Sequence, residues 1–203
     1  MSTSLGTAPP PVSARLTRLG ALCGTLSGLL IGLPALVEAF TGETAPTSVL
    51  LALSPAFALP FLTALHLHQG PATGRFGETA YVVNLIGVGL FGGAAFTANL
   101  VLFFLDDDTI EAELTGPTVP ALLGSAVVFA VGCALFGAAT IRARRVPRLP
   151  AWGYAVVLPV FAFLTALPES LLTSLLHLAV GTTLVWLSAA LWGTVAGPPQ
   201  RSR

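Results

Sequence analysis

The sequence predicts an all-α, polytopic membrane protein that folds as a bundle of about six transmembrane helices. Hydrophobic residues make up 54% of the 203 residues and charged residues only 9%, and the mean hydropathy is +0.85. A compact soluble domain of this size cannot bury so much apolar surface. The apolar residues form six runs near the length of about 20 residues that crosses a bilayer. Charges collect between these runs, and their sign alternates from one connection to the next.

The apolar runs place the six helices along the chain. We predict helices at 18–40, 46–67, 78–105, 119–141, 151–168 and 171–195, which together form the transmembrane domain 18–195. Residues 1–17 and 196–203 are rich in Ser, Pro, Gly and Arg without periodic apolar spacing, so they are predicted to be flexible tails. The first run is longer than the core of about 7–15 residues in a signal peptide, so it is predicted to remain as a membrane anchor.

The charges predict which side of the membrane each connection faces. All nine basic residues are arginines, and they lie before the first run, after the second, after the fourth and after the last: Arg15, Arg18, Arg75, Arg142, Arg144, Arg145, Arg148, Arg201 and Arg203. Glu43, the stretch 106–113 and Glu169 make the other connections acidic. By the positive-inside rule, both termini are predicted to be cytoplasmic. Scattered arginines at zero net charge argue against nucleic acid as a partner.

Glycines predict where helices approach closely. Gly20, Gly24, Gly28 and Gly32 recur every four residues, which leaves a stripe with almost no side chain along one side of the first helix. Gly89 and Gly93 have the same spacing in the third run, so we predict that the first and third helices pack together. Packing within one chain is the favoured use of the stripe, and contact between copies in a homo-oligomer is the alternative.

Two prolines interrupt the second run. Pro55 and Pro60 each remove a backbone donor and crowd the preceding turn, so we predict a kinked or unwound helix near the middle of the bilayer. Broken helices at membrane depth often line the substrate sites of transporters, although prolines are also common in ordinary transmembrane helices.

Polar residues within the bilayer are the candidate binding residues. Glu38, Asn99, Glu169 and His177 all fall in the outer half of the predicted bundle. A histidine with two carboxylates is a set that relays protons, holds a divalent metal or binds an ammonium group. The alternative is a histidine bonded to a neighbouring helix and two carboxylates in the headgroup layer. The sequence predicts no cofactor, and it lacks the common motifs of catalytic and metal sites.

Two stretches at the inner ends of helices carry a family resemblance. They are Gly74-Arg75-Phe76-Gly77 and the segment Leu135–Ala143, which is followed by Pro147-Arg148 and Ala151-Trp152-Gly153. Together they resemble small multi-helix membrane proteins of uncharacterised function found in actinobacteria and other Gram-positive bacteria. The resemblance implies six helices and a bacterial plasma-membrane location, and it supplies no activity or site residue.

Three functions remain open at the level of sequence. The first is binding or transport of a small molecule, an ion or a lipid in a cavity next to the second helix. The alternative is a noncatalytic assembly or accessory subunit, and a membrane-embedded enzyme is the second alternative. Membrane lipids are the expected partners. A cavity lined by Glu38, Asn99 or His177 favours the first function, whereas a closed bundle with an exposed glycine stripe favours the second.

Overall fold

The computed structural model describes residues 13–164 and 170–195 of the chain, and within them it contains helices and turns but no strand. Six helices are long and one is short: α1 Ala14–Thr41, α2 Ala45–Gln69, α3 Gly74–Leu100, the short α4 Asp107–Glu113, α5 Thr118–Ala143, α6 Arg148–Leu164 and α7 Leu171–Val195. The 3₁₀ turns Gly70–Thr73 and Leu102–Phe104 flank α3. The all-α fold predicted from the sequence is confirmed.

Several helices have the length and composition of membrane spans. Four stretches of the described chain qualify, namely Ala14–Thr41, Ala45–Phe104, Thr118–Ala143 and Leu171–Val195, and the second of these contains both α2 and α3. At about 1.5 Å per residue, a helix of 25 residues is about 38 Å long, which exceeds the hydrocarbon thickness of about 30 Å. The apolar helix α6 is shorter, with 17 residues. The described helices are therefore compatible with a membrane protein.

The observed helix bounds differ from the predicted ones mainly at the start of α1, at both ends of α3 and at the start of α6. Residues 14–17, which were assigned to the flexible tail, form the first turn of α1. The guanidinium group of Arg18 donates a hydrogen bond of 3.1 Å to the carbonyl of Val195, which ties this turn to the end of α7. The third helix ends five residues earlier than predicted, at Leu100. The last residues of the predicted fifth span, 165–168, and the tail 196–203 lie outside the described residues.

The six long helices form a closed ring. Each helix packs against the next long helix in the chain, and α7 packs against α1 to complete the circle. The connections 42–44, 70–73 and 144–147 are short, so sequential helices run antiparallel. One end of the bundle, which we call the acidic end, carries Glu43 and α4. The other, the basic end, carries Arg15, Arg75 and the arginines between α5 and α6.

Helix α1 shows how this sequence suits a lipid environment. Its leucines recur every three or four positions and remain exposed on the outer face of the bundle: Leu16, Leu19, Leu22, Leu26, Leu29, Leu33 and Leu36. Its glycines lie on the opposite face. An exposed leucine stripe of this length would be unfavourable in water, whereas lipid tails solvate it well.

The glycine row of α1 packs inside the monomer against α2 and α7. A Cβ added at Gly20 would collide with the Cβ of Ala64 in α2, and one added at Gly28 would lie 2.6 Å from the carbonyl oxygen of Gly181 in α7. Gly24 contacts both helices, and Gly32 lies in ordinary contact with Gly181. The predicted pairing of α1 with α3 is wrong, because α7 occupies the place beside α1.

The glycines of α3 serve other contacts than those predicted. Nothing lies within 4 Å of a Cβ added at Gly89 or Gly93, and both residues are on the exposed face. The close approaches of α3 use Gly87, which lies against the backbone of Phe129 in α5, and Gly92, which lies against the Pro55 ring of α2. Spacing alone indicated the wrong pair because it does not show which face of a helix is covered.

Helix α2 runs without interruption through Pro55 and Pro60, so the predicted unwinding does not occur. Each proline removes the donor to the carbonyl four residues earlier, but the rest of the hydrogen-bond ladder continues. Gly92 of α3 provides room for the Pro55 ring: a Cβ there would lie 2.8 Å from the Cβ of Pro55. A neighbouring glycine therefore accommodates the proline within a regular helix.

Candidate functional site

A cavity of about 660 Å³ lies inside the ring of helices. All six long helices contribute to its wall, and Ile110 of the short α4 reaches it at the acidic end. Most of the lining side chains are apolar. Cavities of about 300–1,000 Å³ with mostly apolar walls and a few polar groups are typical of small-molecule sites.

The cavity occupies only the half of the bundle nearer the acidic end. Its deepest lining residues are Ser27, Phe61, Val88, Tyr154 and Leu184, one from each of five helices. Ser27 is 14 positions from the end of α1 at Thr41, which corresponds to a depth of about 21 Å. We call this layer the cavity floor.

Between the floor and the basic end the bundle is tightly packed. The side chains there are at most 1% exposed: Leu62, Leu65, Cys133, Phe136, Leu187 and Leu191. Small residues bring the backbones together in the same half. For example, a Cβ added at Gly137 would lie 2.5 Å from the Cα of Ala155. The described structure therefore has a cavity that is closed toward the basic end.

Three of the four predicted binding residues line this cavity. Glu38 of α1, Asn99 of α3 and His177 of α7 are all part of its wall, and each is partly buried. His177 lies six positions from the start of α7, a depth of about 9 Å. Glu169, the fourth predicted residue, lies outside the described residues. The structure brings these side chains from three different helices to the acidic half of one cavity.

Local hydrogen bonds orient the polar side chains of this half. The Nδ1 atom of His177 donates to the carbonyl of Thr173, 2.8 Å away, and the Asn99 amide donates to the carbonyl of Ala95 at 2.8 Å. Glu43 also lines the cavity and accepts a hydrogen bond from the Ser48 hydroxyl. Glu38 and Glu43 therefore give this half two carboxylates.

Aromatic rings form one side of the cavity. The rings of Phe91 and Phe129 stack with centroids 4.5 Å apart, Phe161 meets Phe91 edge-on at 6.1 Å, and His177 meets Phe161 edge-on at 4.8 Å. These four residues, which we call the aromatic wall, connect α3, α5, α6 and α7. The wall extends from the floor to the level of His177.

The polar groups at the floor are already paired with one another. The hydroxyls of Ser27 and Ser54 lie 3.1 Å apart, and each also donates to the carbonyl of the other residue, at 3.0 and 3.2 Å. Both serines are at least 98% buried. This reciprocal pair joins α1 to α2 one residue before Pro55, and it presents few unsatisfied polar atoms to a ligand.

A second polar group closes the floor between α3, α5 and α6. The Asn84 amide donates to the Tyr154 hydroxyl at 2.7 Å, and the Cys133 thiol donates to the Asn84 amide oxygen at 3.3 Å. Asn84 therefore links the Tyr154 and Cys133 side chains in one hydrogen-bonded group. We call it the floor triad.

The floor triad was not predicted from the sequence. Asn84 is a polar residue within one apolar run of the sequence, and Cys133 lies in another. Their partners are 49 and 70 positions away in the chain, so no local pattern links them. Only Tyr154 of the three reaches the cavity.

Helix α4 places negative charge at the acidic end. The Asp106 carboxylate accepts a hydrogen bond of 2.9 Å from the backbone N–H of Thr109 and another of 3.0 Å from its hydroxyl. These bonds favour the charged form and lower the pKa of Asp106 below its ordinary value. Asp107, Asp108 and Glu111 follow on the same short helix, and all three are exposed.

The described side chains contain no group of three or more His, Cys, Asp or Glu residues placed to hold a metal ion. Comparison of the chain with known protein families, with curated proteins and with solved structures finds no match. The geometry of the cavity is therefore the main indication of function.

Proposed function

We propose that this protein binds a small, largely apolar molecule in the cavity, within the membrane, either to sense it or as a step of transport. The observation that carries the proposal is a cavity of about 660 Å³ that is surrounded by all six long helices and closed at one end. Its lining combines aromatic rings with a few polar groups at one level, as in small-molecule sites.

The proposal includes the arrangement of the chain in the membrane. Six crossings, with the basic end in the cytoplasm and the acidic end outside, follow from the positive-inside rule. The arginines of the described chain lie at the basic end. In a bacterial plasma membrane, the cavity then receives its ligand from the outside or from the outer leaflet.

The accessory-subunit alternative has less support. Its specific prediction was an exposed stripe of glycines, whereas the α1 row packs against α2 and α7. Gly89 and Gly93 are exposed on α3, but their spacing is a packing motif common to many membrane helices. Nothing further in the described structure indicates what would cover them.

Filling the cavity tests the proposed function. Ala58 of α2 lines the cavity, whereas Ala56 in the same helix is exposed on the outer face. In protein reconstituted into phosphatidylcholine nanodiscs, we expect saturable binding of the neutral fluorophore 1-pyrenemethanol. Energy transfer from tryptophan to the pyrene ring measures this binding. Ala58→Phe should weaken binding at least about tenfold, because the new ring occupies ligand space, a loss of about 1.4 kcal/mol.

Ala56→Phe is the matched control, since it adds the same ring to the lipid-facing side, and it should leave binding unchanged. Both variants should retain the helical circular dichroism of the parent protein. Binding that is not saturable in the parent protein, or that responds equally to both variants, would contradict the proposed function.

A further inference from the structure

We propose that the ligand of the cavity is a lipophilic cation, that is, an apolar or aromatic body that carries one protonated or quaternary amine. This inference depends on the proposed function and adds the chemical class of the ligand. Three observations support it: the carboxylates of the lining, the position of the arginines and the arrangement of the aromatic wall.

The charge of the lining favours a cation. Glu38 and Glu43 both line the cavity, and the described lining contains no arginine. The chain has no lysine at all, since its nine basic residues are arginines. A carboxylate in a partly buried, low-dielectric position attracts an ammonium group more strongly than it would in water, and it repels an anion equally.

The described charges outside the cavity at the acidic end are negative, like those of its lining. Asp106, Asp107, Asp108 and Glu111 lie at the acidic end in or beside the short helix α4, and Ile110 of the same helix reaches the cavity. Charges of one sign around an entrance raise the local concentration of oppositely charged ligands. A cation therefore meets favourable potential both on approach and at the level of Glu38.

The aromatic wall provides the second half of the recognition. Phe91, Phe129 and Phe161 line the cavity below the level of the carboxylates. Aromatic side chains pack well against apolar and aromatic bodies. At the floor, Ser27 and Ser54 are bonded to each other, so the deep part of the cavity suits the apolar body of the ligand.

The geometry therefore predicts the orientation of the ligand in the cavity. Its amine lies toward the acidic end near Glu38, and its apolar body lies deeper, against the aromatic wall and the floor. An anionic amphiphile of the same shape would place its charge beside two carboxylates, and a neutral one would lack the charge attraction to them.

A matched series of three fluorophores tests the inference in the nanodisc assay described above. The probes are 1-pyrenemethylamine, which is cationic at pH 7, the neutral 1-pyrenemethanol and the anionic 1-pyrenecarboxylate. All three carry the same ring system, so differences in affinity report charge. Empty phosphatidylcholine nanodiscs give the partitioning of each probe into lipid, which is subtracted.

We expect the amine to bind at least about tenfold more tightly than the alcohol and the carboxylate to bind most weakly. The double variant Glu38→Gln with Glu43→Gln should reduce the ratio of amine affinity to alcohol affinity to about twofold or less. Glu111→Gln, an exposed change on α4, is the control and should keep most of the preference.

Equal affinity for the amine and the alcohol would overturn the inference and leave the proposed function standing. A preference for the amine that persists in the double variant would also overturn it, because the carboxylates would then not be its cause. Failure of all three probes to bind saturably would contradict the proposed function itself.

Discussion

Replacing Gly28 with leucine is expected to prevent the bundle from folding stably. The Cβ of any residue larger than glycine at this position would lie 2.6 Å from the carbonyl oxygen of Gly181 and 2.9 Å from a methyl group of Val185. Because the first of these atoms belongs to the backbone of α7, side-chain rotation cannot relieve the clash. The two helices must separate, and every contact between them is then weakened.

We expect Gly28→Leu to lower the free energy of unfolding by about 3 kcal/mol or more, which is the upper range for overpacking in a tightly packed interior. The loss should appear as a lower yield of monodisperse protein and as a lower midpoint when the helical signal is titrated with sodium dodecyl sulfate.

Gly89→Leu is the matched control. Nothing lies within 4 Å of an added Cβ at Gly89, and leucine favours the helix over glycine by up to about 1 kcal/mol. Its midpoint should therefore equal or exceed that of the parent protein. If the two leucine variants were equally stable, the packing of α1 against α7 described here would be wrong.

Removing the Asn84 side chain is expected to open the floor of the cavity. Asn84 is completely buried, donates to Tyr154 and accepts from Cys133. Asn84→Ala leaves the Tyr154 hydroxyl and the Cys133 thiol without this partner and creates space between α3, α5 and α6. Unsatisfied buried groups cost about 1–3 kcal/mol each in water-soluble proteins, and hydrogen bonds inside membranes average about 0.6 kcal/mol.

We therefore expect Asn84→Ala to lower the free energy of unfolding by about 1–3 kcal/mol, measured by the titration with sodium dodecyl sulfate. Asn99→Ala provides the comparison, because the Asn99 amide donates to the carbonyl of Ala95 in its own helix, and its loss should be smaller. A double-mutant cycle with Tyr154→Phe should show that the two changes are coupled. Strictly additive effects would contradict the hydrogen bond between Asn84 and Tyr154.

The sequence was sufficient to predict the helices because each is a local property. An apolar run of sufficient length between charged connections indicates a span, and the described part of each predicted run falls largely within a helix. The glycine row of α1 likewise indicated a close approach of another helix. Its partner is α7, where a single glycine, Gly181, faces Gly28 and gives no repeated pattern to read.

The site was predictable only in part, because it depends on contacts between helices that are distant in the sequence. Glu38, Asn99 and His177 attracted notice because polar groups inside a membrane are costly, and all three line the cavity. Their position in one cavity depends on the order of the helices around the ring, and the apolar runs of the sequence do not reveal that order. Gly92 of another helix leaves room for the Pro55 ring, so the proline alone does not show whether α2 unwinds.

The most direct test of the central claim is the sided reaction of a cysteine placed in the cavity. Ala58→Cys, in a Cys23→Ala background, would lie about 20 Å from the start of α2, counting 13 positions at 1.5 Å. The native Cys133 is fully buried and should not react. Ala56→Cys, on the outer face of the same helix, is the control because water does not reach it in the bilayer.

A membrane-impermeant cationic thiosulfonate should modify Ala58→Cys when it is added to the outside of spheroplasts. It should fail to do so when it is added to inverted membrane vesicles, and it should leave Ala56→Cys unmodified in both. This result would establish a water-accessible cavity that is open only at the acidic end. Equal modification from both sides, or no modification of Ala58→Cys from either side, would contradict the account.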